Sequence, residues 1–257
     1  MNTIDIKNFS IEDEHRNQLI TNVDLTIYDK QVNAIIGESG AGKTLLMRFI
    51  LNQLPSHFRV NCDHFHFNDH SHGTIQYQLG KDIGYISQNY TQSFNDHSKL
   101  GKQLVAIYRT HYDVTKQEAI SKVNKALGWV NLEGEFILQR YSFQLSGGQL
   151  ERVYIASVLM LDPKLIIADE PVASLDVVNG QQIMDLLQHI VKDHHQTLLI
   201  VTHNMSHVLK YADYINVMKF GQIIDYGDLN YFQSHHINPY SQQLLHSRSH
   251  LKRDEHD

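Results

Sequence analysis

Residues 37–44 read GESGAGKT, directly after the apolar run Val32–Ile36 and at the start of a stretch, 43–54 (KTLLMRFILNQL), whose apolar spacing predicts a helix. The spacing G-x-x-x-x-G-K-T acts as a phosphate cradle only between a buried strand and a helix start, so it constrains the fold more than any other feature. Gly37, Gly40 and Gly42 let the backbone curl so that successive N–H groups, with those of Glu38, Ser39 and Ala41 between them, point inward. The helix start at Lys43 adds its partial positive charge. The Lys43 ammonium is expected on the β- and γ-phosphates of a bound nucleotide, and the Thr44 hydroxyl on Mg²⁺. A second apolar run, Leu165–Ala168, ends in Asp169 and Glu170. Ligands of open α/β sheets bind at the carboxyl ends of the strands. Asp169 is therefore expected to hold Mg²⁺, and Glu170 to orient and polarise an attacking water.

The remaining pattern predicts an α/β chain. Residues 3–11 and 20–28 alternate like antiparallel strands, Ile83–Ser87 is another apolar strand, and 97–161 turns helical. Thr115 and Glu118 form a capping box ahead of one helix, and a second is expected over Gly147–Leu161. Then follow a helix near 178–193, a strand Leu198–Thr202, a helix 205–211 and strands near 214–218 and 222–226. This alternation predicts a mostly parallel sheet core, an antiparallel β subdomain and an inserted helical subdomain at about 90–161. Residues 1–246 are read as one domain and 247–257 as a polar tail. Lys plus Arg total 22 against 28 Asp plus Glu, a net charge of −6 with no basic block, which argues against a nucleic-acid binder. The single cysteine, Cys62, excludes an intramolecular disulfide and argues against a cysteine-ligated metal centre. No run approaches the roughly 20 apolar residues needed to cross a bilayer, and MNTIDIKNFSIEDEHR carries no apolar run of signal-peptide type. The expectation is a reduced, cytoplasmic protein that reaches a membrane by docking on another subunit. Among 18 histidines, His57, His64, His66, His70 and His72 crowd one segment. Imidazole suits Ni²⁺ and Zn²⁺, but His64-Phe65-His66-Phe67 alternates like a half-exposed strand with both histidines facing solvent.

Residues 145–149 are LSGGQ, followed by a helix and then by the acidic strand. In this order the motifs resemble the ATP-binding-cassette (ABC) ATPases, a P-loop NTPase family whose signature is LSGGQ. Ser146 can cap the helix, and Gly147 and Gly148 expose N–H groups at its start, a second anion cradle, and the resemblance adds Gln149 to the nucleotide-binding set. The resemblance spans residues 3 to about 246. It implies that LSGGQ closes on the γ-phosphate of ATP held by a second ABC ATPase subunit, as a heterodimer. It implies that Gln88 senses the γ-phosphate, ligates Mg²⁺ with Thr44 and Asp169, and links to the membrane subunits. Ser174-Leu175-Asp176 matches the loop that crosses the dimer interface, and His203 the histidine that bonds the γ-phosphate and fixes Glu170. The implied catalytic set is Glu170, His203 and Gln88. The implied partners are the second cassette, two permease subunits and, indirectly, an extracellular solute-binding protein, at the cytoplasmic face of the membrane.

The chain departs from the family in two places. The aromatic residue that usually stacks on adenine is missing from Ile11-Glu12-Asp13-Glu14-His15, where His15 or Phe9 could substitute. Leu150-Glu151-Arg152 and Ser157 depart from a more basic pattern and are expected to alter surface charge. Gln88 with Gln92-Ser93-Phe94-Asn95 and Leu100-Gly101-Lys102-Gln103, the segment 167–187, and INPYSQQLL at 237–245 are similar to the oligopeptide/dipeptide/nickel importer branch. The chain ends at Asp257 without the cysteine-rich extension of peptide importers, so the nickel-importing members are the preferred likeness. An oligopeptide or dipeptide importer ATPase is the alternative. So is a soluble ABC ATPase outside transport, although the second cassette or coiled-coil insertion usual there is not visible. A cassette that binds nucleotide without turnover is disfavoured by the presence of Glu170 and His203.

Overall fold

The computed structural model describes residues 2–68, 70–71, 77–173, 176–234 and 237–251. In chain order the elements are β1 (Asn2–Glu12), β2 (Gln18–Tyr28), β3 (Val32–Ile36), α1 (Lys43–Ile50), β4 (Arg59–Asn61), β5 (His64–Phe67), β6 (His70–Ser71) and β7 (Ile83–Ile86). Next come α2 (Leu100–His111), α3 (Lys116–Trp129), α4 (Gly134–Leu138), α5 (Gly147–Leu159), β8 (Leu165–Asp169) and α6 (Val177–His194). The last are β9 (Thr197–Thr202), α7 (Met205–Tyr211), β10 (Tyr214–Lys219), β11 (Gln222–Asp228), α8 (Leu229–Gln233) and α9 (Pro239–Leu251). The chain divides into two compact units, residues 1–76 with 197–257, and residues 77–196.

The first unit holds an antiparallel sheet in the order β2-β1-β5-β6, with β4 also on β1. Its buried residues switch parity along each long strand, Ile4 and Ile6 then Phe9 and Ile11, and Ile20 then Val23, Leu25 and Ile27. The switches fall at Asn8 and Asn22, both at positive φ, where the β1–β2 register also shifts. Each bulge inserts one residue and so returns the apolar face to the core. The same unit pairs β10, β3 and β9 in parallel, with β11 antiparallel on β10. All five β3 residues are buried, as a strand covered on both faces requires.

Helix α1 stops at Ile50, four residues short of the expected end. Asn52 takes a left-handed φ of 52°, and Gln53 N–H donates to the Arg48 carbonyl at 2.8 Å. This turn, with Pro55 close behind, ends the helix although the apolar spacing continues. β5 forms as the alternation predicts. Its phenylalanines pack inward, Phe67 buried and Phe65 edge-on to Phe49 at 5.5 Å, while His64 and His66 stack at 6.1 Å and are half-buried. His72 lies outside the described residues. Among the described residues no group of three or more His, Cys, Asp or Glu could hold a metal ion.

The second unit pairs β7 and β8 in parallel, with α2 to α5 between them in sequence and α6 after. Leu100 and Leu104 of α2, Ala119, Val123 and Leu127 of α3, and Val153 and Ala156 of α5 are buried. The Thr115–Glu118 capping box forms as expected, Thr115 N–H donating to Glu118 Oε2 at 2.8 Å. One expectation fails here. Leu150, Glu151 and Ser157 do not alter the surface, because α5 is buried on almost every side, and Glu151 is only 2% exposed. No helix of the described residues is long and apolar enough to cross a membrane.

Candidate nucleotide site

In the first unit Ile36 pairs with Thr202, so Gly37 and His203 leave the same carboxyl edge of the parallel strands. The phosphate loop is shaped from behind. A Cβ on Gly37 would sit 2.1 Å from the Met218 carbonyl oxygen of β10, so only glycine fits. Gly42 has a φ of 104°, and a Cβ there would come within 2.8 Å of the Met218 side chain. The tip of the β10–β11 hairpin, Phe220 and Gly221 at positive φ, meets the loop directly. Gly221 N–H donates to the Ala41 carbonyl at 2.9 Å, and its own carbonyl accepts Thr21 N–H at 2.9 Å. Sequence reasoning missed this support, because it joins residues far apart in the chain.

The mouth of the loop is open. Glu38, Ser39, Gly40 and Thr44 are exposed, and a Cβ on Gly40 would meet nothing within 4 Å. Helix α1 starts at Gly42 with no side-chain cap and no acidic residue in its first turn. Its first N–H groups therefore present positive potential, as an anion site requires. Lys43 curls over the loop, its ammonium donating to the Gly37 and Glu38 carbonyls at 2.5 and 2.9 Å. Exposed His203 sits on a tight turn. Asn204 N–H donates to Thr202 Oγ1 at 3.0 Å, and its side chain caps α7 through Ser206 N–H at 3.0 Å.

The segment 237–245 also bears on this half. Asn238 N–H and the Ser241 hydroxyl donate to buried Asp225 at 3.0 and 2.5 Å, as does the Tyr231 hydroxyl at 2.6 Å. Tyr240 then places its hydroxyl to accept Glu38 N–H at 3.4 Å. Of the two candidates for adenine, Phe9 is excluded. It is fully buried and stacks on Phe49 at 4.1 Å, because the bulge at Asn8 turns it into the core. His15 is exposed on a turn built by Asp13, which accepts the N–H groups of His15 and Asn17 at 2.8 Å. Hydrogen bonds, first from the Asn17 side chain, hold the Asp13 carboxyl below its usual range.

In the second unit Ile86 lies beside Ala168, so Gln88 and the pair Asp169–Glu170 also leave a common strand edge. The Tyr85 hydroxyl donates to Asp169 Oδ2 at 3.2 Å. Glu170 adopts a φ of 48°, and its carbonyl accepts Ala173 N–H at 3.1 Å. A left-handed non-glycine residue costs on the order of 1–2 kcal/mol and recurs where a side chain must be aimed. Tyr154 of α5 donates to the Tyr85 carbonyl at 3.2 Å and accepts Ser87 N–H at 3.2 Å, tying the signature helix to the residue before exposed Gln88. Tyr90, two residues past Gln88, is buried with its hydroxyl 3.5 Å from where a Gly147 Cβ would stand. Ser146 caps α5 reciprocally, its hydroxyl accepting Gln149 N–H at 3.3 Å and Gln149 Oε1 accepting Ser146 N–H at 3.1 Å. Asp176 caps α6 through the N–H groups of Val178 and Asn179 at 3.1 and 3.0 Å, bonds that lower its pKa, Asn179 first. Ser174 and Leu175 lie outside the described residues. Tyr85, Tyr90 and Tyr154 carry no local motif, so reading the sequence did not find them.

Comparison with known proteins identifies the family. The family model described as "ABC transporter" matches residues 20–173. The chain is 58% identical over 257 residues, 100% of both chains, to the nickel import system ATP-binding protein NikD of Staphylococcus aureus (strain USA300). Among solved structures, cbiO1 from Clostridium perfringens, part of the ABC transporter complex cbiONQ, gives a TM-score of 0.77 at 25% identity over 91% of each chain. The dimeric post-hydrolysis structure of the ATP-binding cassette MJ0796 bound to ADP and Pi gives 0.72 at 23% identity, covering 88% of this chain and 98% of that one, which speaks for the fold. The chain therefore belongs to the ABC transporter family and carries its ATP-binding cassette.

Proposed function

We propose that this chain is the ATP-hydrolysing, energy-coupling subunit of a membrane importer for nickel or another metal or metal complex. The uncapped start of α1 beneath an exposed glycine turn carries the nucleotide part of this reading. The full-length likeness to a nickel import ATP-binding protein supports the cargo. On binding ATP, Lys43 exchanges the two loop carbonyls for β- and γ-phosphate oxygens, and the N–H groups of residues 37–44 close around the chain of phosphates. Glu170 polarises the attacking water, His203 bonds the γ-phosphate and orients Glu170, and Gln88 reports the γ-phosphate to the permease side. Thr44, Gln88 and Asp169 offer a hydroxyl, an amide oxygen and a carboxylate, the hard oxygen donors that Mg²⁺ prefers. These residues would hold the ion, which supplies charge neutralisation between the phosphates.

The capped start of α5, Ser146 to Gln149, serves the γ-phosphate of a partner cassette in a heterodimer. Closure depends on contacts that exist only with triphosphate present, and charge repulsion after hydrolysis reopens the pair. Two permease subunits, with an extracellular binding protein beyond them, complete the importer at the cytoplasmic membrane face. Oligopeptide or dipeptide import is the second reading. The segment 237–245 favours the shared branch without choosing the cargo, because its polar groups are taken up by Asp225. The test is phosphate release and nickel uptake by vesicles carrying the assembled importer. Glu170→Gln should keep ATP binding, lower turnover at least about a hundredfold and trap a closed dimer, while Lys43→Ala should lose ATP binding. Normal turnover by Glu170→Gln would remove its assigned role, and uptake of peptide in place of nickel would select the second reading.

A further inference from the structure

At the end of the first unit's parallel strands opposite the phosphate loop, four tyrosines gather around a cavity of about 520 Å³. The strand register explains the grouping. Tyr214, the first residue of β10, pairs with Asp228 of β11, and Tyr226 lies two residues before Asp228, so all three side chains share one face. Tyr28, the last residue of β2, sets its ring 4.6 Å from that of Tyr214 at 63°. Tyr231 closes another wall, its ring lying on Gly227, where a Cβ would come within 2.6 Å of it. Asp213 is the remaining charged residue of the lining, and no Lys, Arg or His lines the cavity among the described residues.

The charges are arranged to receive a cation. Asp213 Oδ2 accepts Val32 N–H and Asp228 Oδ1 accepts Tyr231 N–H, each at 2.8 Å, so each carboxylate spends one oxygen on the fold. Burial, then a hydrogen bond with Tyr28, raises the Tyr214 phenol, and the bond to Asp225 raises Tyr231 to about 12. Both phenols therefore stay neutral, and their rings offer negative faces. Tyr226 is left 63% exposed at the rim. The nucleotide reaction uses none of these groups. Aromatic faces, two carboxylates and no competing cation are the recognition chemistry of ammonium and guanidinium groups. We propose that this cavity is a second binding site, for an organic cation of the alkylammonium or guanidinium class.

That chemistry has two sources, a free amine or a lysine or arginine side chain of a partner polypeptide. Calorimetric titration of the full chain at physiological ionic strength separates them, using choline, spermidine, and capped Gly-Lys-Gly and Gly-Arg-Gly peptides. The uncharged choline analogue 3,3-dimethylbutanol serves as control. At least one cationic probe should saturate at one site. Binding of free amines alone assigns a small ligand, of peptides alone a docked side chain, and of both the cation chemistry itself. Tyr226→Ala, at an exposed position, should weaken binding about fivefold without lowering the melting temperature. Asp228→Asn keeps a residue able to cap α8 and should weaken binding by a similar factor. The proposal is overturned if no probe saturates, if the uncharged analogue binds as well, or if Tyr226→Ala binds like the parent chain.

Discussion

The phosphate loop and the signature segment both present N–H groups at a helix start, yet different forces hold them in shape. Behind the phosphate loop, backbone meets backbone: the Met218 carbonyl stands where a Gly37 side chain would be, and Gly221 bonds Ala41. Around the signature segment, side chains do the holding: Ser146 and Gln149 cap each other, and Tyr154 ties α5 to the strand end before Gln88. Backbone packing fixes the path of the loop against the strands behind it. Tethers of one or two hydrogen bonds, each worth about 1 kcal/mol, yield more readily than packed backbone.

Matched glycine substitutions put the largest strain on this contrast. Gly37→Ala drives a methyl group into a carbonyl oxygen of a paired strand, which cannot yield without breaking the β3–β10 ladder. It should cost about 4 kcal/mol or more in urea unfolding and abolish ATP binding. Gly147→Ala meets only the Tyr90 hydroxyl at 3.5 Å, an ordinary contact, and should cost less than about 1 kcal/mol. Equal costs at the two positions would erase the distinction.

A smaller effect separates the two regions by pH. Glu151, beneath the signature residues, is 2% exposed, and its Oε2 has no hydrogen-bond partner among the described residues. Burial pushes its carboxyl up to about 7, with Arg152 pulling weakly the other way. The folded chain therefore holds this proton more tightly than the unfolded chain. The penalty is absent below about pH 4.5, grows as pH rises, and levels off above about 7 at roughly 3 kcal/mol. Glu151→Gln should stabilise the chain by up to that amount at pH 8 and change little at pH 4.5. A pH-independent gain would mean that the side chain is not buried as an acid.

The glycine-rich turn between a strand and a helix was legible because GESGAGKT is eight consecutive residues, and the acidic strand because Leu165–Glu170 is continuous. The alternation of strands with helices and the Thr115 cap were legible from periodicity and local hydrogen bonding, whereas the order of the strands in each sheet was not. Hidden from the sequence were features set by partners distant in the chain. Residues 3–11 and 20–28 read as simple alternation, and the bulges at Asn8 and Asn22 that keep one face apolar did not show. Asn52, by contrast, ends α1 through a local left-handed turn that the continuing apolar spacing masks. Glu151 reads as a surface charge because a helix with small and apolar residues on every side gives no marker of which side is covered.

Tyr154 tests the tethered region most finely. Its hydroxyl is the shared partner of Tyr85 carbonyl and Ser87 N–H, and Tyr85 in turn holds Asp169. Tyr154→Phe keeps the ring and removes these bonds and the 3.3 Å contact with the Ser87 hydroxyl, so stability should fall by about 1 kcal/mol. If the tether positions Gln88, turnover by the assembled importer should fall several-fold while ATP affinity, set by the phosphate loop, stays unchanged. If it serves stability alone, turnover should be normal below the melting transition. A loss of ATP affinity would instead mean that the two halves share one source of rigidity, and the contrast between packed backbone and hydroxyl tether would not hold.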